Sequence, residues 1–189
     1  IEATHQAFSG SMDGVDVRLS QGDVEALVGK LPHGKTGAYL NNKIPFVFDY
    51  ADNDADVLPK SSKDLSHGTH VAAIAAANAA DLQGTAPHAQ IIVAKVASDK
   101  DGSIPDNTVL AALDDAVVIK PDSINLSLGE DAGMGTEAGT MYAEVYKNLA
   151  AAGVTVNAAA GNSYSSAYSN YSGKNKPYAS DPDAGTLSE

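Results

Sequence analysis

A three-layer α/β fold, with a doubly wound, mostly parallel sheet and helices on both faces, is predicted by three observations. β-Branched runs alternate with apolar helical stripes between residues 90 and 160. That order implies parallel strands joined by right-handed crossovers. A run of small residues, Ala72 to Ala80, is apolar on nearly every face, as a helix buried on all sides would be. The chain is 43% hydrophobic and 19% charged over 189 residues, enough for one domain with a real core.

Each element has its own signal. Ser20 to Asp23, followed by Val24, Leu27, Val28 and Leu31, predicts a short amphipathic helix. Residues 34–42 read as a loop. Ile44 to Tyr50 is rich in aromatic and β-branched residues and predicts a strand. Pro45 places it at a sheet edge or at a strand start. A helix is predicted from Ser66 to Ala80, with Ser66 as N-cap, and a buried strand over Ile91–Val96. Val109, Leu110, Leu113, Ala116 and Val117 make one stripe of a helix over Ile104–Lys120. A strand over Ser123–Leu128, a helix over Glu137–Ala152 capped by Gly153, and a strand over Val154–Ala159 complete the alternation. Residues 163–189 are dominated by Ser, Tyr, Asn, Gly and Pro and read as a loop rather than a core element.

Composition narrows the function. With no cysteine, the chain has no disulfide framework, thiolate nucleophile or Cys-ligated zinc. A net charge of −12 argues against sequence-independent nucleic-acid binding, which needs clustered Lys and Arg. No apolar run approaches the length of a membrane span. Asp49, Asp52, Asn53, Asp54 and Asp56 crowd one short segment. The calcium-loop spacing fails there, because Val57 stands where a tight-turn glycine belongs and Lys63 where the bidentate glutamate belongs. The segment reads as a solvated acidic turn. A structural calcium ion stays open, with no position assigned.

The chemistry centres on His67. It stands at the mouth of the small-residue helix, at the positive end of the helix dipole. A general base must be uncharged to take a proton, and that position works in its favour. A lone histidine could equally cap or pack; the setting Ser66-His67-Gly68-Thr69-His70 weakens that alternative. His67 and His70 are three apart, with Gly68 where a zinc helix would carry glutamate, so the pair is not read as a metal site.

Ser66-His67-Gly68-Thr69-His70-Val71-Ala72 resembles the histidine motif of the subtilisin-like serine proteases. Three further segments follow in that family's order: Gly84 to Ala89 with the strand through Lys95-Val96, Ile124 to Gly129, and Ala158-Ala159-Ala160-Gly161-Asn162. The resemblance covers about residues 66–162 and implies a subtilisin-like fold, incomplete in this chain. It implies that His67 is the base of a Ser-His-Asp triad and that Asn162 donates to the oxyanion. It implies a substrate track on Gly102 and on Ser127, Leu128 and Gly129, with Ala159, Ala160 and Gly161 as the facing pocket wall.

Ala73 and Glu130 stand where the family usually has glycine. Two motifs of the family are not found in residues 1–189: Asp-Ser/Thr-Gly and Gly-Thr-Ser-x-Ala/Pro. Asp49 is a poor substitute for the triad aspartate, since the family's aspartate strand comes earlier. The insert before His67 is similar in layout to the cell-envelope proteinases of Gram-positive bacteria, the lactocepin and streptococcal complement-factor peptidase type. Residues 1–189 therefore read as the N-terminal portion of one such peptidase domain, beginning inside a larger product, with 163–189 leading to its remainder or an inserted domain. The implied partners are an extended polypeptide substrate and the rest of that domain, outside the cell or attached to its envelope. No cofactor is required. The alternative reading is a non-catalytic relative that binds extended peptides.

Overall fold

The structure is a computed structural model. It describes residues 1–60, 66–128 and 141–159, and the backbone of 168–169 and 176–177. The chain divides into two compact units, Ile1–Ile119 and Lys120–Glu189.

The first unit opens with a short 3-10 helix, Gln6–Phe8, and helix α1, Gln21–Val28. Ser20 and Asp23 close a reciprocal capping box at the start of α1, which satisfies two orphan backbone donors. Strand β1, Phe46–Asp49, begins directly after Pro45, as a residue without an N–H requires. Helix α2 is His67–Ala76, followed by a hairpin of β2, Asn78–Ala79, and β3, Leu82–Gln83. Strand β4, Ile92–Lys95, pairs parallel to β1 with Phe46 opposite Ile92 and Asp49 opposite Lys95. Helix α3, Asp106–Ile119, ends the unit.

Alternation along β1 builds three layers here. Val47 points into a cluster with Ala7, Phe8, Ile44, Val57, Ala77 and Val93, against which Ala72 and Ala73 of α2 pack. Phe46 and Phe48 point the other way, into Val24 and Leu31 around α1 and Ile119 of α3. A strand covered on both faces reads as a continuous apolar run, which Ile44 to Phe48 is. The helices-on-both-faces architecture is thus present in this unit.

The second unit is a βαβ motif. Strand β5, Ser123–Leu126, pairs parallel with β6, Thr155–Ala158, and helix α4, Met141–Ala151, connects them. Gly153 at φ +81° ends α4. Its N–H donates to Ala150 and that of Val154 to Leu149, both at 3.0 Å, the paired bonds of a Schellman motif. Further on, β7, Tyr168–Ser169, pairs antiparallel with β8, Lys176–Pro177, inside the segment expected to be loop.

Four expectations need correction. The helix predicted to Ala80 stops at Ala76. It is also not buried on all sides: Ala76 is its one buried residue and Ile74 is 60% exposed, because the unit packs only one flank of α2. Ser66 holds the N-cap position but its side chain makes no capping hydrogen bond. Only Val93 of β4 is fully buried.

Candidate active site

Histidine 67 is the first residue of α2 and is exposed to solvent. Both ends of its helix are tied down. At the near end the Glu2 N–H donates to Thr69 Oγ1 at 2.9 Å, and the His70 N–H closes the first turn on Ser66 O at 2.8 Å. At the far end the chain returns past the helix terminus. Gly84, Thr85 and Ala86 donate their N–H groups to the carbonyls of Ala77, Ile74 and Ala75 at 2.9, 3.0 and 2.8 Å. Those carbonyls would otherwise be orphans of the last turn. The approach is so close that a Cβ on Gly84 would lie 2.6 Å from the nitrogens of Ala76 and Ala77. This contact is also why α2 stops early: the returning backbone takes the carbonyl of Ala77, where a continuing helix would need it.

The second site cluster stands at the carboxyl ends of β5 and β6. Ser127 and Leu128 follow β5, and Ala159 follows β6, with the Ala159 N–H donating to Leu126 O at 2.9 Å. Ser127 Oγ accepts from Asn125 Nδ2 at 2.9 Å. The same face carries Asn157, whose Nδ2 donates to Ser123 Oγ at 2.8 Å. Ser127, Leu128 and Ala159 are thus brought together at a strand end, where parallel sheets bind ligands. Gly129, Ala160, Gly161 and Asn162 lie outside the described residues, as does Glu130.

Gly102 follows β4 in a turn. Its φ of +71° suits glycine, its N–H donates to Ser98 O at 2.9 Å, and Ser98 N–H donates to Ser103 O at 2.9 Å. Asp101–Ser103 is therefore a turn held on itself, not a strand by its own pairing. The Asp101 carboxylate accepts from both the Ser103 amide and hydroxyl, at 3.0 and 2.7 Å.

The acidic segment differs from a solvated turn at its first member. Asp49 is fully buried and hydrogen-bonded by Lys95 Nζ, while its Oδ1 accepts from the amides of Ala51 and Asp52. Lys95 Nζ also lies 2.8 Å from Asp99 and 3.4 Å from Asp52. Burial acts to lower the proton affinity of Lys95, but its bonds to Asp49 and Asp99 outweigh this and hold it above the usual lysine range. Asp99 is held below the usual carboxylate range, because Lys60 and Lys95 outweigh its burial. Among the described residues, Asp49, Asp52 and Asp99 are the one trio placed closely enough to share a cation. Lys95 already supplies that charge. These pairings also occupy Asp49 in the structure of the first unit.

Sequence reasoning missed several supports. Lys95 was legible only as part of a strand, and Thr69 only as part of a motif. The usable signal for Gly84 was a glycine directly after a hairpin and before the next strand.

The subtilase family model matches residues 1–184 of the chain. The chain is 37% identical over 186 residues to a PI-type proteinase of Lactococcus lactis subsp. cremoris, covering 94% of this chain and 9% of that protein. It is 29% identical over 167 residues to a C5a peptidase of Streptococcus pyogenes, covering 84% of this chain and 13% of that protein. It is 34% identical over 125 residues to the major intracellular serine protease of Bacillus subtilis, covering 65% and 38%. The chain spans less than a tenth of the length of the lactococcal relative. From residue 1 to residue 184, this chain belongs to the subtilase family.

Proposed function

We propose that this chain is part of a serine endopeptidase that acts outside the cell or at its envelope on extended polypeptides. The observation that carries the reading is the family match across residues 1–184, with His67 at the first position of α2. In this reading His67 takes the proton of a serine hydroxyl and returns it to the leaving amine. The Asn162 amide stabilises the oxyanion. Gly102 and Ser127–Gly129 pair with the substrate backbone, and Ala159–Gly161 wall the pocket. The chemistry needs no cofactor. The triad aspartate and serine come from outside residues 1–189, so this segment alone is expected not to hydrolyse peptides.

The test is a His67→Ala variant of the full-length protein. Turnover should fall by about 10⁶, the order known for the subtilisin histidine itself. Asn162→Ala should cost about 10²–10³ in kcat. Peptide hydrolysis that survives His67→Ala unchanged would sink the reading. Peptide binding without any hydrolysis by the wild-type protein would favour a non-catalytic peptide-binding relative.

A further inference from the structure

The acidic segment after β1 has a use that the proposed chemistry does not absorb. Asp49 and Lys95 are the last residues of β1 and β4 and stand in register. Their carboxyl ends are the side on which parallel sheets bind ligands. The Tyr50 N–H donates to Lys95 O at 2.7 Å, so the pairing continues one step past the strands. There the acidic segment turns: Asn53 adopts φ +62°, its N–H donates to Asp49 O at 2.8 Å, and the Asp49 N–H donates to Asp54 O at 2.8 Å.

That turn presents Asp52 to the start of the 98–103 turn. The Asp99 N–H donates to Asp52 Oδ2 at 2.8 Å, across 47 residues of sequence. The Asp99 carboxylate is gripped from two sides. Lys95 Nζ lies 2.8 Å from Oδ1, and Lys60 Nζ lies 2.8 Å from Oδ2 and 3.0 Å from Asp56. Asp99 is one residue past Ser98, the residue on which the Gly102 turn closes. Asp99 thus links that turn to the acidic segment, through its N–H to Asp52 and its carboxylate to Lys60 and Lys95.

We propose that the acidic segment is a buttress for the substrate track, with Asp52 as a positioning residue that fixes Gly102 through Asp99. This rests on reading Gly102 as part of that track. A charged acceptor on a backbone amide is among the stronger hydrogen bonds available to a partly exposed group. Lys95, shared by three carboxylates, keeps Asp52 and Asp99 from repelling one another. Asp52 touches no substrate; it sets where the turn stands.

The experiment uses the full-length protein, with Asp52→Ala and Asp52→Asn. Asp52→Asn keeps an acceptor for the Asp99 amide, and position 52 is exposed, so neither change leaves a buried gap. Asp52→Ala should raise hydrogen-exchange rates across 98–103 by about tenfold, and raise KM for long peptides by about the same factor with kcat little changed. Asp52→Asn should recover most of both. Unchanged exchange at 98–103 in Asp52→Ala overturns the buttress. Faster exchange with an unchanged KM for long peptides also overturns the proposal, by showing that this turn is not where substrate lies. Loss of kcat in proportion to folded protein, with no change in KM, would reduce Asp52 to a general stability role and overturn it too.

Discussion

The two parallel pairs, β1–β4 and β5–β6, have the same length and opposite surroundings. Each pairs four residues with four, and in each a helix lies in the connection. All four residues of β1 but only Val93 of β4 are buried, whereas Leu126 is the one buried residue of β5 and β6. The sequences account for this. Phe46-Val47-Phe48 has apolar groups for two faces. Ser123-Ile124-Asn125-Leu126 and Thr155-Val156-Asn157-Ala158 have apolar groups for one face and hydrogen-bonding groups for the other. In the first unit the sheet is the core; in the second, its polar face leads directly into Ser127 and Ala159.

That contrast predicts unequal responses to truncation. Phe46→Ala removes a fully buried ring between α1 and α3. It should lower the free energy of local opening at β1 by about 3–5 kcal/mol, read by hydrogen exchange in the full-length protein. The next effect is a pH dependence confined to the first unit. Lys43 is buried, with its Nζ donating to Pro87 O at 2.8 Å and Ala89 O at 2.6 Å and, among the described residues, no carboxylate paired with it. Desolvation lowers its pKa from 10.5 to about 8. Between those values the unfolded chain holds a proton that the folded chain has released. Stability contributed by this residue therefore rises with pH from about 8 to 10.5. In calorimetric melts, the Tm difference between wild type and Lys43→Met should grow in favour of wild type over that window. A constant difference would remove Lys43 as the source. The smallest effect is at β6, where Val156→Ala should cost less than about 1 kcal/mol of local opening. A loss there equal to that of Phe46→Ala would mean that β6 is covered in the full-length protein, and the contrast would collapse.

How much could be read from the sequence follows the range of each interaction. Strands β1, β4, β5 and β6 and helices α3 and α4 were legible because their signals are local. Gly153 announced the end of α4 because its left-handed conformation is a single-residue property. The end of α2 was not legible. Ala75 to Ala80 contains no breaker except Asn78, and the stop comes from Gly84–Ala86, eight to ten residues later. Lys95 with Asp49, and Lys43 with Pro87 and Ala89, were hidden for the same reason: each joins residues more than forty apart. His67 stands first in α2, and Ser127, Leu128 and Ala159 directly follow β5 and β6, strands that stop one or two residues short of the predicted ends. Gly102, named for the substrate track, lies in a turn that its left-handed backbone makes.

The return of the chain past α2 bears on where that helix can end. A helix of ten residues is about 15 Å long and stiff along its axis. Gly84 rests against the backbone at its far end with no room for a methyl group. Any side chain at position 84 would have to displace the last turn of α2 or lose the bonds that end it. Position 84 thus fixes where the last turn of α2 ends, from a residue eight positions beyond it.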